Sequence, residues 1–202
     1  MLKATPRTVR AAAEIVRAGG LAIYPTDTVY GLGCDPFNVS AVRKLVRAKG
    51  SRDKPLPILA SSLDAAEGVA ELSENARRIA HRFWPGPLTL VLPKKALPHE
   101  VTFGLPTVGV RIPDHRIALV LIRLSGGTLV GTSANKAGLP PPTTAAAAYN
   151  LLRNEVDIVL DGGPARIGTS STVLDLTREL PKVLRRGPIS LGDVMECLNA
   201  ST

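Results

Sequence analysis

Lys49, Arg52 and Lys54 crowd into the run Lys49-Gly50-Ser51-Arg52-Asp53-Lys54-Pro55-Leu56, and Arg185 and Arg186 precede Gly187 late in the chain. Cations grouped in this way can hold a triphosphate and neutralise charge that develops at phosphorus. Two other segments carry short hydroxyls and glycines: Tyr24-Pro25-Thr26-Asp27-Thr28-Val29-Tyr30-Gly31-Leu32-Gly33, and the Gly- and Pro-rich stretch from Gly131-Thr132-Ser133-Ala134-Asn135 to Thr143. Their hydroxyls and the Asn135 amide suit a small zwitterion, or the sugar and base of a nucleotide. A further hydroxyl cluster, Gly168-Thr169-Ser170-Ser171-Thr172-Val173, stands shortly before the late arginines. Each Ser/Thr/Gly cluster alone reads as a turn, and the Lys49 to Lys54 run alone as a solvated face. Their coexistence in one short chain is what points to a ligand.

Several familiar chemistries are excluded by spacing. There is no G-x-x-x-x-G-K-[ST] phosphate loop, and Gly31-Leu32-Gly33 continues as Cys34-Asp35-Pro36 without the third glycine of a dinucleotide fingerprint. His81, His99 and His115 are widely spaced and Cys34 and Cys197 are the only cysteines, so neither a metal site nor a disulfide framework is expected. Ser133 lacks the spacing of a hydrolase nucleophile elbow.

The elements that must position these segments alternate. A helix is predicted after Thr5 as N-cap and Pro6 in the first turn, with Val9, Ala12, Ala13 and Val16 on one face and Gly19-Gly20 as its stop. A strand over 21–24 runs straight into the Thr26-Asp27-Thr28 turn, and Asn38 caps a helix over 39–48. Strands follow at 57–60, 88–92, 107–112, 128–131, 156–160, 172–176 and 182–185, with helices at 63–70, 74–83, 115–124, 144–153 and 191–198 between them. This interleaving predicts an α/β fold around a single twisted sheet with flanking helices. Some connections are too short for parallel crossovers, so the sheet should be mixed parallel and antiparallel.

A chain of 202 residues with 45% hydrophobic content can bury a good core, and one domain over residues 1–202 is expected. No apolar run is long enough to span a membrane, and the N-terminus lacks the apolar stretch of a signal peptide, which predicts a soluble cytoplasmic protein. The net charge of +8 makes nucleotides or RNA plausible partners, although a generally basic surface explains it equally well. Aromatics are only 3%, so base-stacking platforms are scarce.

The chain resembles the YrdC/Sua5 family. The segments that carry the resemblance are Pro25-Thr26-Asp27-Thr28-Val29-Tyr30-Gly31, the basic run ending Lys54-Pro55-Leu56, Trp84-Pro85-Gly86-Pro87-Leu88-Thr89-Leu90, Val110-Arg111-Ile112-Pro113-Asp114-His115, Thr132-Ser133-Ala134-Asn135, Ser171-Thr172-Val173 and Arg185-Arg186-Gly187. They stand in the family's order. The resemblance implies an L-threonylcarbamoyladenylate synthase, a nucleotidyltransferase that uses L-threonine, bicarbonate and ATP with Mg²⁺ to supply threonylcarbamoyladenosine modification of tRNA. It implies a threonine site of Thr28, Arg111, Ser133 and Ser171. The implied ATP site is Lys49, Arg52, Lys54, Thr107, Asn135, Thr143 and Arg185, with Lys49, Arg52 and Arg111 bearing on the reaction itself.

One departure concerns the family's K-x-R pattern. Ser51 occupies the place of that arginine and the run is one residue shorter, so the role passes to the neighbouring Arg52. The extra C-terminal domain of Sua5 proteins is not evident, which resembles the short YrdC-type form. The family role also implies a downstream transferase of the Kae1/TsaD type. The rival reading is a YrdC-like module that binds tRNA or double-stranded RNA and makes no product; an RNA groove would not need the Ser and Thr hydroxyls.

Overall fold

A computed structural model describes residues 1–50 and 54–200. Ser51, Arg52 and Asp53 lie outside the described residues, and with them the Arg52 assignment.

The chain opens with β1 (Leu2–Lys3) and α1 (Pro6–Arg17). Thr5 caps α1 reciprocally with Thr8, and Val9, Ala12, Ala13 and Val16 form its buried face, as their spacing requires. The hairpin β2 (Ala22–Tyr24) and β3 (Gly31–Gly33) follows, then α2 (Val39–Lys49), whose first turn is held by Asn38 Oδ1 on the Ala41 N–H. Next come β4 (Ile58–Ala60), α3 (Leu63–Glu67), α4 (Glu74–Phe83), β5 (Leu88–Pro93), α5 (His99–Thr102), β6 (Thr107–Arg111), α6 (Arg116–Leu124), β7 (Thr128–Val130) and β8 (Thr132–Ser133). The chain finishes with α7 (Ala145–Leu152), β9 (Ile158–Asp161), β10 (Thr172–Asp175), β11 (Lys182–Arg185) and α8 (Leu191–Asn199). Among the described residues no helix is long and apolar enough to cross a membrane.

The mixed α/β class is as expected, but the strands divide into two sheets rather than one. A five-stranded sheet has the order β1-β9-β2-β3-β8, and a six-stranded sheet the order β11-β10-β5-β6-β4-β7. The division falls at Gly131, inside the run that reads as one strand. Residues 128–130 pair antiparallel with β4, whereas 132–133 pair antiparallel with β3. A Cβ at 131 would stand 2.2 Å from Leu59 Cγ, so only glycine lets the chain cross from one sheet to the other here. The sheets stay tied through the Val130 N–H on the Cys34 carbonyl and the Gly131 N–H on the Pro57 carbonyl.

β3 is the second departure, because no strand is predicted at Gly31-Leu32-Gly33. It is a strand paired with β2, with Ala22 opposite Gly33 and Tyr24 opposite Gly31. The fully buried Tyr24 ring lies across both glycines: a Cβ at Gly31 would be 3.0 Å from its Cζ, and one at Gly33 2.9 Å from its Cε1. The glycines therefore make room for an aromatic neighbour. β1, α5 and β8 also lie outside the predicted elements; none exceeds four residues, too short for a periodic signal.

The apolar core lies in two clusters. One joins α1 and α6 to β2 and β9 through Val16, Tyr24, Leu121 and Leu160; the other fills the space around β5, β6, α2 and α4.

Candidate active site

Arg111 ends β6, nearly buried, with its guanidinium held on three sides. Nε donates to the Gly86 carbonyl at 2.8 Å, Nη1 donates to Thr28 Oγ1 at 2.9 Å, and Nη2 pairs with Asp27 Oδ1. Gly86 is set by the turn entering β5, where its N–H bonds the Ile112 carbonyl and a Cβ would collide with the Phe83 carbonyl. Burial pushes the Arg111 pKa down from its ordinary value, and Asp27 opposes that shift. Three of the five N–H groups are thus engaged, which leaves two for a ligand. Asp27 Oδ2 is buried without a partner, as is Nδ1 of His115, whose pKa is lowered mainly by burial.

The loop between β2 and β3 presents two hydroxyls. Thr26 Oγ1 donates to the Val29 carbonyl at 2.6 Å and accepts from the Thr28 and Val29 N–H groups at 3.2 and 3.3 Å, which engages its proton and both lone pairs; Thr28 Oγ1 lies 3.0 Å from it. Thr28 Oγ1 accepts from Arg111. It keeps a lone pair that can accept from a ligand. The loop is held in place by the N–H groups of Ile167 and Gly168, which donate to the Asp27 and Thr28 carbonyls, and by the Tyr30 hydroxyl on the Gly163 carbonyl.

On the far side, Arg185 ends β11 and lies over the start of β10. Its Nε donates to the Ser171 carbonyl and its Nη2 to Ser171 Oγ, each at 3.0 Å. Burial lowers the Arg185 pKa. Ser171 Oγ is also 2.8 Å from Thr89 Oγ1 on β5. Gly187 makes this crossing possible, since a Cβ there would stand 2.3 Å from the Thr172 nitrogen and 2.6 Å from the Ser170 carbonyl oxygen.

Lys49, at the end of α2, is buried, and its ammonium donates to the carbonyls of Ser133 and Asn135 at 2.6 Å each. The Ala137 N–H returns a bond to the Lys49 carbonyl, and the Asn135 amide donates to the Lys136 and Leu139 carbonyls. Lys49 and Asn135 thus shape the loop after β8.

These elements enclose a cavity of about 490 Å³ between the two sheets. It brings together Thr28, Lys54, Arg111, Ser133, Ser171 and Arg185 of the sequence-predicted residues. Lys49 and Asn135 are not among its lining residues, although Lys49 bonds the carbonyl of the lining Ser133. Thr107 shares the face of β6 with Gly109 and Arg111 but sits about 13 Å along the strand from Arg111. Thr143 accepts the Ala165 N–H on its carbonyl, away from the lining. Thr26 and Thr89 line the cavity and were not predicted. Thr26 was available from its place in the hydroxyl-rich loop, whereas Thr89 looks like an ordinary strand residue. The remaining wall is largely apolar, from Pro57, Leu59, Val91, Val173 and Leu184. No cluster of three or more metal-ligating side chains occurs among the described residues.

Residues 14–187 match the Sua5, YciO and YrdC family, whose description reads "Telomere recombination". The chain is 45% identical over 189 residues to a threonylcarbamoyl-AMP synthase of Pyrococcus abyssi, covering 92% of this chain and 56% of that protein. It is 40% identical over 195 residues to a putative threonylcarbamoyl-AMP synthase of Mycobacterium tuberculosis, covering 95% of this chain and 89% of that protein. The crystal structure of P. abyssi Sua5 complexed with L-threonine superposes with a TM-score of 0.93 at 42% identity, over 98% of this chain and 59% of that one. E. coli YciO superposes with a TM-score of 0.86 at 27% identity, over 94% of both chains. The chain therefore spans little more than half the length of the archaeal relative. In sequence and in fold alike, the chain belongs to the Sua5/YciO/YrdC family.

Proposed function

We propose that this chain is an L-threonylcarbamoyladenylate synthase, which forms threonylcarbamoyl-AMP and pyrophosphate from L-threonine, bicarbonate and ATP. The observation that carries the reading is one cavity with Arg111 and the Thr28 hydroxyl at one end and Arg185 at the other, with hydroxyls between. The two remaining N–H groups of Arg111 grip the amino acid's carboxylate, and the Thr28 lone pair accepts from its ammonium. Arg185 and Lys54 face the phosphates, and the apolar wall receives the less polar parts of the nucleotide.

The ammonium and bicarbonate combine to a carbamate with loss of water and a proton. A carbamate oxygen then attacks the α-phosphorus, and the bond to the β-phosphate breaks with its electron pair leaving on pyrophosphate. No protein nucleophile is required, so catalysis rests on positioning and on cations aimed at developing charge. The cavity lining holds no carboxylate among the described residues, so Mg²⁺ would be carried by the ATP phosphates, where it would neutralise charge beside Arg185 and Lys54. The product would be passed, in the cytoplasm, to a Kae1/TsaD-type transferase that modifies tRNA.

Pyrophosphate release by the purified protein with ATP and Mg²⁺ tests the reading. Release that requires both threonine and bicarbonate is expected. Absence of release, with tRNA or double-stranded RNA retained by the protein, would replace it with an RNA-binding role.

A further inference from the structure

Thr89 and Ser171 form a second hydroxyl pair, at the wall where β5 meets the start of β10. Thr89 lies on β5 in parallel register with Val173, and both hydroxyls of the pair line the cavity while their residues are more than nine-tenths buried. Ser171 Oγ accepts from Arg185 at 3.0 Å and meets Thr89 Oγ1 at 2.8 Å, close enough for one proton between the oxygens and no more. Among the described residues the Thr89 hydroxyl has no other hydrogen bond, and either oxygen of the pair can be the donor.

Two arrangements follow. In the first, Ser171 accepts from Arg185, donates to Thr89, whose own proton then turns to the cavity, and has one lone pair left to accept from a ligand. In the second, Ser171 accepts from both Arg185 and Thr89 and directs its own proton at the ligand. They interconvert by rotation about the C–O bonds, with every heavy atom in place.

The synthase reading, on which this inference rests, gives both arrangements a use, with Ser171 taking a second N–H of the ammonium beside Thr28. The substrate nitrogen begins as an ammonium, which only donates. After its C–N bond to the bicarbonate carbon forms, with the displaced oxygen leaving as water and a proton released, it carries a carboxylate that accepts. That carboxylate must lie where the amino-acid and phosphate subsites meet, and the Ser171–Arg185 contact is such a junction. We propose that Thr89 is a positioning residue for substrate binding. By taking the Ser171 proton it leaves that oxygen able to accept from the ammonium, and by reversing the bond it lets Ser171 donate to the carbamate.

Loss of the Thr89 hydroxyl therefore acts mainly on the ammonium-bound state, where the Ser171 proton would have no acceptor; in the carbamate state the ligand itself accepts it. Thr89→Val keeps the shape of the side chain and removes the hydroxyl. Steady-state pyrophosphate release is expected to show a threonine KM raised about tenfold, the loss of one buried hydrogen bond, with kcat and the ATP KM within about twofold. Thr89→Ser is expected to restore the low threonine KM, and Thr89→Ala to repeat the Thr89→Val pattern should that variant fold poorly. A wild-type threonine KM in both Thr89→Val and Thr89→Ala overturns the inference, as does a parallel loss in all kinetic constants or a failure of Thr89→Ser to rescue. Absence of threonine-dependent release in the wild-type protein would instead sink the synthase reading itself.

Discussion

Asp27 and Arg111 form an ion pair from which water is almost wholly excluded, their side chains being 0% and 6% exposed. An apolar pair of similar volume would stabilise the fold as well or better, so stability alone does not account for it. What the pair does is orient the guanidinium: Asp27, Thr28 and Gly86 each take one N–H and leave the other two available at the cavity.

Arg111→Lys tests that orientation while retaining a cation for Asp27. A lysine has no planar fork, so the threonine KM should rise at least about tenfold with the ATP KM within about twofold. Asp27→Ala leaves a buried, unpaired guanidinium and should lower unfolding stability by about 3–5 kcal/mol in denaturant titration. Equal loss of threonine and ATP use in Arg111→Lys would count against the assignment of this end of the cavity to the amino acid.

Lys49 is expected from the family resemblance to serve ATP, and Lys49→Ala to harm ATP use chiefly. Its ammonium bonds to the Ser133 and Asn135 carbonyls give it a further task, that of holding the loop after β8. Lys49→Met should therefore leave those carbonyls without their cation, cost about 2–4 kcal/mol of stability, and raise the KM of threonine as well as that of ATP. A selective ATP effect with unchanged Tm would restrict Lys49 to the nucleotide.

The contrast between Arg111 and Thr89 shows how much of the site was legible. Arg111 was named because the segment Val110-Arg111-Ile112-Pro113-Asp114-His115 carries the family resemblance, which implies a role for that arginine. The helices with capping residues and apolar stripes, such as α1 and α2, were legible for local reasons. Thr89 was not, since a threonine in a strand is ordinary and its partner Ser171 lies 82 residues away. The two-sheet division was hidden likewise, because it depends on Leu59 filling the space beside Gly131. Contacts between distant segments leave little mark on local pattern, and they decide which cluster of hydroxyls becomes a wall of the cavity.

Gly31 and Gly33 provide a graded test of the Tyr24 packing. A Cβ at Gly33 meets the Val130 carbonyl oxygen at 2.5 Å as well as the tyrosine ring, whereas one at Gly31 meets only the ring, at 3.0 Å. Backbone cannot yield as a side chain can, so Gly33→Ala should destabilise more than Gly31→Ala, by about 1–3 kcal/mol for overpacking of this kind. Thermal melts of the two variants check the order, and the reverse order would mean that β3 is held differently.

Cys34 supplies a pH test. The thiol is fully buried, and burial pushes its pKa up to about 12, with Asp35 adding to the shift. A group whose pKa is raised by folding stabilises the folded state fully below its unfolded value and loses that contribution as pH rises towards the folded one. Between the ordinary thiol value of about 8.5 and about 12, the unfolded chain can release a proton that the folded chain retains. Stability should therefore decline there by up to about 1.4 kcal/mol per pH unit from this group, and burial of Tyr24 moves its phenol in the same direction. Cys34→Ala should flatten the decline above pH 9, as measured by urea midpoints across pH. In the folded wild-type protein near neutral pH a thiol reagent should label the partly exposed Cys197 alone, and both cysteines after denaturation. Rapid labelling of Cys34 in the folded state would mean that the junction between β3 and β7 opens on the timescale of the reaction, and would contradict the closed core that positions the cavity.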